Sequence, residues 1–334
     1  MPSIWGGPVG TAHIRGAPED FFVREILGFQ PEGDGEHVWL WIRKRGVNTH
    51  FLASRLARWA GVSAKDVSFA GQKDRHAVTE QWFSVYLPGR RTPPLSGLAS
   101  DAECDFTVLL VTRGRRKLAR GAHRGNWFRL QLTELEVRSR SALDARLRRM
   151  SACGVPNAFG PQRFGHEAGN LETAQRWFAT GRRPRQTQQR SMALSAARSW
   201  LFNRYLAARM RNNSWHRCVA GEWAAGGGGL IPEPTGPLFG RGQTHASDVA
   251  LELETEIADT HRPWVDALAK AGLKLTRRRL KSRPTDLQWS VESRSNALEL
   301  SFYLPRGEYA TTVLAALVEA RDASGIGTIS GRDV

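Results

Sequence analysis

Cysteine is scarce in this 334-residue chain, and the scarcity removes two kinds of scaffold. Cys104, Cys153 and Cys218 lie far apart and form no Cys-x-x-Cys pair, which argues against a disulfide framework and a structural zinc site. The histidines are scattered without ligand spacing, so no metal is expected. No charged-then-apolar leader opens the sequence, and no apolar run is long enough to cross a bilayer. A soluble, cytoplasmic protein without a membrane role is the expectation. Lysine is rare as well, with 7 residues against 41 arginines. A GC-rich genome favours Arg over Lys, but it does not explain 48 basic residues against 32 acidic ones. The formal charge of +16 points to a polyanionic partner, since counterion release from a phosphate backbone supplies affinity without sequence specificity.

The chain is long enough for one large or two medium domains. Its first half alternates predicted strands and helices. Residues 37–42, 106–112 and 127–135 have strand character, and 49–60 carries Phe51, Leu52, Leu56 and Trp59 at helical spacing. Asn48 or Thr49 caps that helix and Gly61 ends it. Leu143, Leu147 and Met150 form another helical stripe, closed by Gly154. Beyond Gly154 the texture turns helical. A helix capped by Asn170 ends at Gly181, and a longer one spans about 192–210. Residues 224–229 form a low-complexity turn or loop. Strand character returns at 288–290 and 298–303, before a final helix over 308–320. No internal repeat is visible.

The densest chemistry lies in Phe69-Ala70-Gly71-Gln72-Lys73-Asp74-Arg75-His76-Ala77-Val78-Thr79-Glu80-Gln81. One carboxylate, Asp74, sits among cations on a turn between strands expected at 67–70 and 81–87. A rigid scaffold would hold it while leaving it open to a ligand. Surrounding positive charge favours its ionised form and its use as a nucleophile. Lys73 and Arg75 are its chain neighbours, and adjacent side chains in an extended segment point opposite ways, so neither is automatically its partner. The bland alternative is an Asp that caps a turn or pairs at the surface.

This stretch resembles the signature of the TruD-type tRNA pseudouridine synthases, Gly-x-Lys-Asp-x-x-Ala-x-Thr-x-Gln, filled here by Gly71, Lys73, Asp74, Ala77, Thr79 and Gln81. Further blocks resemble the same family in the same order. They are Pro18-Glu19-Asp20-Phe21-Phe22-Val23-Arg24-Glu25, Lys117-Leu118, Gly125-Asn126-Trp127-Phe128 and the run from Gly154-Val155-Pro156 to Arg163-Phe164-Gly165. Leu194-Ser195-Ala196-Ala197-Arg198-Ser199, Phe202-Asn203 and Leu304-Pro305-Arg306-Gly307-Glu308-Tyr309-Ala310-Thr311-Thr312 complete the series. The resemblance implies an α/β (α+β) fold, with a mixed, mainly antiparallel sheet flanked by helices. It also implies a discontinuous catalytic domain, 1–153 and 283–334, with a helix-containing insertion at 154–282.

The resemblance further implies isomerisation of uridine to pseudouridine in tRNA, uridine 13 of the D arm, with glutamate tRNA the usual substrate. That chemistry needs no redox cofactor, metal or ATP. Asp74 matches the catalytic carboxylate. Arg15 stands where the family places a basic residue, often Lys, against it, and a guanidinium would hold the carboxylate with a planar fork. Phe21, Asn126 and Tyr309 match substrate-contacting positions, and Phe128 matches the aromatic expected against the target base. Residues 126 and 128 of a strand share a face, and an extruded base needs new stacking. Lys73, Arg75, Arg116, Lys117 and Arg163 are candidates for the RNA backbone, within basic clusters at 113–124, 182–190 and 277–283. His76 is not required by the motif. Ala158 replaces an aromatic common before Phe-Gly, and Tyr309 stands where Phe is frequent. A monomer is the default expectation. Two rivals remain open: a non-catalytic RNA-binding protein on the same scaffold, and a nucleoside glycosidase, which would call for a second carboxylate or a metal-bound water.

Overall fold

The computed structural model of the chain describes residues 2–99, 101, 104–223, 233–292 and 294–324. The glycine-rich stretch 224–229 lies outside the described residues. The amino-terminal part holds β1 (Gly10–Ile14), β2 (Phe21–Ile26), β3 (His37–Arg45), α1 (Thr49–Ala60), β4 (Val67–Phe69) and β5 (Val78–Tyr86). β6 (Asp105–Gly114), β7 (Gly125–Val137), α2 (Arg140–Cys153) and β8 (Val155–Pro156) follow. The middle of the chain forms α3 (Gly169–Thr180), α4 (Thr187–Arg211), β9 (Thr235–Leu238), α5 (Asp248–Thr260), α6 (Arg262–Lys270), β10 (Thr276–Arg279) and β11 (Lys281–Ser282). It ends with β12 (Thr285–Glu292), β13 (Ala297–Pro305), α7 (Ala310–Leu317) and β14 (Glu319–Asp322).

Among the described residues, ten strands build one mixed sheet in the order β12-β13-β7-β2-β5-β3-β6, with β4 added to β5 and β1 bridging β7 and β14. Most pairings are antiparallel, while β2 runs parallel to β5 and β1 parallel to β14. Alternation decides which side chains face the helices. On β3, Val38, Leu40 and Ile42 are buried, and they pack with Leu52, Leu56 and Ala60 of α1 and with Phe83 and Val85 of β5. Asn48 caps α1 by accepting from the His50 amide at 2.8 Å, and Gly61 ends it at a φ of 58°, in the left-handed region where glycine carries no Cβ penalty. A second core under the same sheet joins Phe128, Leu130, Phe302 and Leu304 to Leu147 of α2 and Leu314 of α7.

A third core belongs to the middle segment, where Ala197, Leu201, Phe202, Tyr205 and Leu206 of α4 pack with Phe164, Ala174 and Leu268. This segment leaves and rejoins the sheet through a two-stranded neck, Val155 opposite Ser282 and Pro156 opposite Lys281.

Three expectations need correction. The final helix stops at Leu317. Val318 is extended at φ −136°, and the chain then forms β14 against β1. The Glu-Ala-Arg run has helical propensity, but pairing with an open sheet edge outweighs it. Asn170 does not cap its helix: α3 begins at Gly169 behind Ala168, which sits at φ 61°, because the preceding turn already bonds the Ala168 amide to the Gly165 carbonyl. The strand expected to end at Ile42 runs on to Arg45, which carries Lys44 onto the buried face.

Candidate active site

The loop from Ala70 to Ala77 joins β4 to β5, and the polar residues of its signature brace it. Gln81, buried on β5, donates to the Gly71 carbonyl at 3.2 Å and accepts from the Thr49 hydroxyl at 3.1 Å. The same hydroxyl accepts from the Lys73 amide at 3.1 Å. Gly71 is constrained by proximity: a Cβ there would lie 3.3 Å from the His123 ring. The Lys73 side chain, 6% exposed, turns inward to Glu25 at 2.8 Å and Asn126 Oδ1 at 2.8 Å. Its ammonium is thus committed to two neighbours inside the protein rather than presented to an RNA backbone. Ala77 is fully buried, where a larger side chain would displace the core beneath the loop.

Asp74 projects from the apex of this loop with its side chain 46% exposed. Arg15 Nη2 donates to Asp74 Oδ2 at 3.3 Å, while Nη1 donates to Asp322 Oδ2 at 3.0 Å. One guanidinium therefore bridges two carboxylates from widely separated parts of the chain. Arg15 is 7% exposed and lies 4.4 Å over the Phe21 ring. Its φ of 60° is unusual for a residue with a Cβ. Burial raises the Asp322 carboxyl, but the Ser324 hydrogen bonds and the Arg15 guanidinium outweigh it and hold it below the ordinary aspartate value. Lys44 approaches from below, with Nζ donating to the carbonyls of Val47 at 2.7 Å and Asp74 at 3.1 Å. Burial pulls its ammonium down to about 8, although the Asp74 charge favours the protonated form.

Asp74 and Asp322 open onto a cleft of about 940 Å³. Its opposite wall comes from the Gly160–Gly165 turn and the first turns of α4, with Arg163, Ser191, Met192 and Ser195. Tyr309, at the start of α7, lines the cleft between the two walls. Its hydroxyl accepts from Arg163 Nη2, and Arg163 Nη1 donates to Ser195 Oγ at 3.1 Å. Phe159 packs against Tyr309 and Phe202, and the Arg278 guanidinium lies 4.1 Å over its ring. Asn157 accepts from Arg278 Nη2. Ala158 needs no ring of its own here: its carbonyl accepts from Thr312 Oγ1 at 3.2 Å.

The expected site residues therefore divide. Asp74, Arg163 and Tyr309 line the cleft, Arg15 sits directly behind Asp74, and Asn126 is reached through Lys73. Phe21 and Phe128 are 2% and 6% exposed. Phe128 stacks on Phe302 at 5.5 Å and makes a T-shaped contact with Phe21 at 6.3 Å, so both rings are largely covered by protein. Arg75 is exposed and donates to the Gly46 carbonyl at 3.4 Å. Arg116 and Lys117 are exposed elsewhere: Lys117 borders a separate groove beside α1, with His50, Lys65 and Arg120. In the basic cluster at 277–283, Arg277 is held by Glu254 at 2.6 Å and Arg278 is half-buried with its guanidinium 4.1 Å over the Phe159 ring, so both are engaged within the protein.

Sequence reasoning missed Lys44, Thr49, Glu25 and Asp322. Continuing the parity of Val38, Leu40 and Ile42 by one step would have flagged Lys44 as a buried cation. Nothing local marks Asp322, which becomes part of the site only when β14 pairs with β1.

No described helix is long and apolar enough to cross a membrane, and no group of three His, Cys, Asp or Glu among the described residues is arranged to hold a metal ion. Comparison with known proteins places this architecture. The crystal structure of a TruD protein from Methanosarcina mazei superposes with a TM-score of 0.70 over 96% of each chain, at 21% identity, a likeness of fold. The tRNA pseudouridine synthase D of Pseudomonas putida is 44% identical, covering 95% of this chain and 94% of that one. That of Methylococcus capsulatus is 45% identical, covering 96% and 94%. The family model for tRNA pseudouridine synthase D matches residues 5–181 and 230–317, which include Asp74, Arg163 and Tyr309 of the cleft. With Asp74 braced at the edge of that cleft, the chain belongs to the TruD family of tRNA pseudouridine synthases.

Proposed function

We propose that this synthase isomerises uridine 13 in the D arm of tRNA, glutamate tRNA above all, with Asp74 as the nucleophilic carboxylate. The observation that carries the reading is the Arg15–Asp74 pair, 3.3 Å apart and fixed from behind, at the edge of a cleft wide enough for an extruded nucleotide. In the reaction the N-glycosidic bond breaks, uracil turns within the site and the ribose carbon bonds to carbon 5. Carbon 5 loses a proton and the former glycosidic nitrogen gains one, so substrate and product have the same atoms. A preorganised anion beside the ribose is the main requirement, because charge develops there during bond cleavage. Arg15 directs the carboxylate, and the Lys44 contact fixes the main chain from which it projects.

Tyr309 and Asn126 are the proposed substrate contacts. Phe21 and Phe128 serve as floor, with the Phe21 ring backing the Arg15 guanidinium and Phe128 packed against Phe21. Arg163 and Arg75 are the proposed backbone contacts nearest Asp74, with Arg116 and Lys117 on a more distant surface. The segment 154–282 is proposed as an insertion domain, supported by its own core and by the β8–β11 neck. The enzyme is proposed to act as a monomer in the cytoplasm, without a cofactor.

The test is to incubate purified protein with unmodified glutamate tRNA, without cofactor, and to map carbodiimide adducts by primer extension. A stop at position 13 with wild type and none with Asp74→Asn is the expected result. A stop at another uridine would overturn the assigned position and keep the chemistry. Tight binding with no stop anywhere would favour an RNA-binding role, and release of free uracil would favour a glycosidase.

A further inference from the structure

We propose that Asp322 is a positioning residue: it occupies one end of the Arg15 guanidinium and so keeps one oxygen of Asp74 clear for substrate. The inference rests on Asp74 being the catalytic carboxylate. Asp322 lies beyond residue 317, where the family match ends.

The geometry is a three-group relay. Arg15 gives one terminal nitrogen to Asp322 at 3.0 Å and the other to Asp74 at 3.3 Å, both to Oδ2. Asp74 Oδ1 has no hydrogen-bond partner among the described residues. Arg15 Nε is buried without a partner there, so the two carboxylates alone set the rotation of the guanidinium, while the Phe21 ring limits its tilt. Asp322 is the fixed end. Its side chain is 5% exposed, and Oδ1 accepts from the Ser324 amide at 3.0 Å and hydroxyl at 2.5 Å. Pairing of Ile14 with Asp322 places this anchor one residue from Arg15 along the sheet edge.

An arginine fork matches a single carboxylate with two parallel hydrogen bonds. Without two carboxylate oxygens at 322 one end of a buried guanidinium loses its partner, because the single oxygen of an amide can face Arg15 only by turning its amino group onto the Ser324 donors. Turning to grip both oxygens of Asp74 satisfies it again, and that grip ties up the oxygen kept clear for substrate. Asp322 thus prevents an over-tight pair rather than merely adding a hydrogen bond. Its negative charge also offsets the Arg15 cation, so Asp74 is directed without having its charge fully neutralised.

The test compares single-turnover and steady-state conversion of tRNA by Asp322→Asn and Ser324→Ala, each alone and combined with Arg15→Gln, beside Asp74→Asn. Asp322→Asn is expected to lower kcat about 10- to 100-fold, with KM for tRNA within about twofold. In the Arg15→Gln background the same change is expected to alter kcat by less than about twofold, because no guanidinium remains to be misplaced. Ser324→Ala, which only loosens the anchor, is expected to cost a few-fold and to have no effect in the same background. An unchanged kcat for Asp322→Asn, or an equal loss in both backgrounds, overturns the proposal. If Asp322→Asn unfolds at assay temperature, the Ser324→Ala pair decides by the same criterion. Activity retained by Asp74→Asn would instead refute the underlying assignment, whereas an inactive Asp74→Asn with a normal Asp322→Asn refutes only the positioning role.

Discussion

On the sheet-side wall of the cleft, Arg15, Lys44 and Lys73 are buried and each holds fixed partners drawn from distant parts of the chain. Next to the helical wall, outside the cleft's own lining, Arg182, Arg183 and Arg185 stand exposed in the turn leading into α4, and Arg182 borders a separate groove. Both groups contribute to the same excess of positive charge, yet they do different physical work. A buried cation with two or three set partners has already shed its hydration, so it can orient a reacting group without further reorganisation. An exposed arginine keeps its solvent shell and acts at longer range, drawing in a phosphate backbone and releasing counterions. The sheet wall is built to orient, and the helical wall to attract.

Breaking the sheet wall is expected to have the larger effect, and in kcat. Arg15→Ala removes the bridge between Asp74 and Asp322, and an approximately hundredfold loss of kcat is expected with tRNA affinity little changed. Arg15→Lys keeps the charge but not the fork and should lose about tenfold. Wild-type activity of Arg15→Lys would show that charge alone matters, and equal activity of the two variants that only the fork does.

The helical wall should respond in affinity and salt dependence. Replacing Arg182, Arg183 and Arg185 together with Gln is expected to leave kcat within about twofold. The plot of log affinity against log salt should become shallower by about 0.7–0.9 for each phosphate that is no longer neutralised. A kcat loss like that of Arg15→Ala would erase the distinction between the walls.

A smaller effect sharpens the comparison through pH. Burial, with Lys73 and Arg306 nearby, pulls His123 beside the catalytic loop from 6.5 down to about 4. The unfolded chain therefore takes up a proton here that the folded chain refuses. Stability contributed above pH 6.5 is lost as pH falls toward 4. With the partly buried ring discounted for solvent screening, the loss is about 1 kcal/mol. Thermal unfolding of His123→Gln should lack this part of the pH slope; an identical slope would show that the histidine titrates normally.

The helices and central strands were legible because their signals are local. Parity along β3 and the 3.6-residue spacing of Leu52 and Leu56 declare which faces are buried, and Asn48 and Gly61 mark the ends of α1. The Asp74 loop was legible as a motif, but its bracing was not. Gln81 and Thr49 are separated by 32 residues and meet only through the β4–β5 hairpin packed on α1. Lys73 and Arg75 look equivalent in sequence, and only the fold turns one toward Glu25 and leaves the other in solvent. Asp322 was the least legible of all. Its role depends on a short strand whose composition favours helix and whose partner, β1, is the first strand of the chain.

The most direct test of the account is a paired measurement on Asp74→Asn and wild type: tRNA dissociation constant and single-turnover conversion on the same preparations. Conversion abolished, with affinity within about twofold of wild type, is the predicted result. Conversion at the wild-type rate by Asp74→Asn would contradict it.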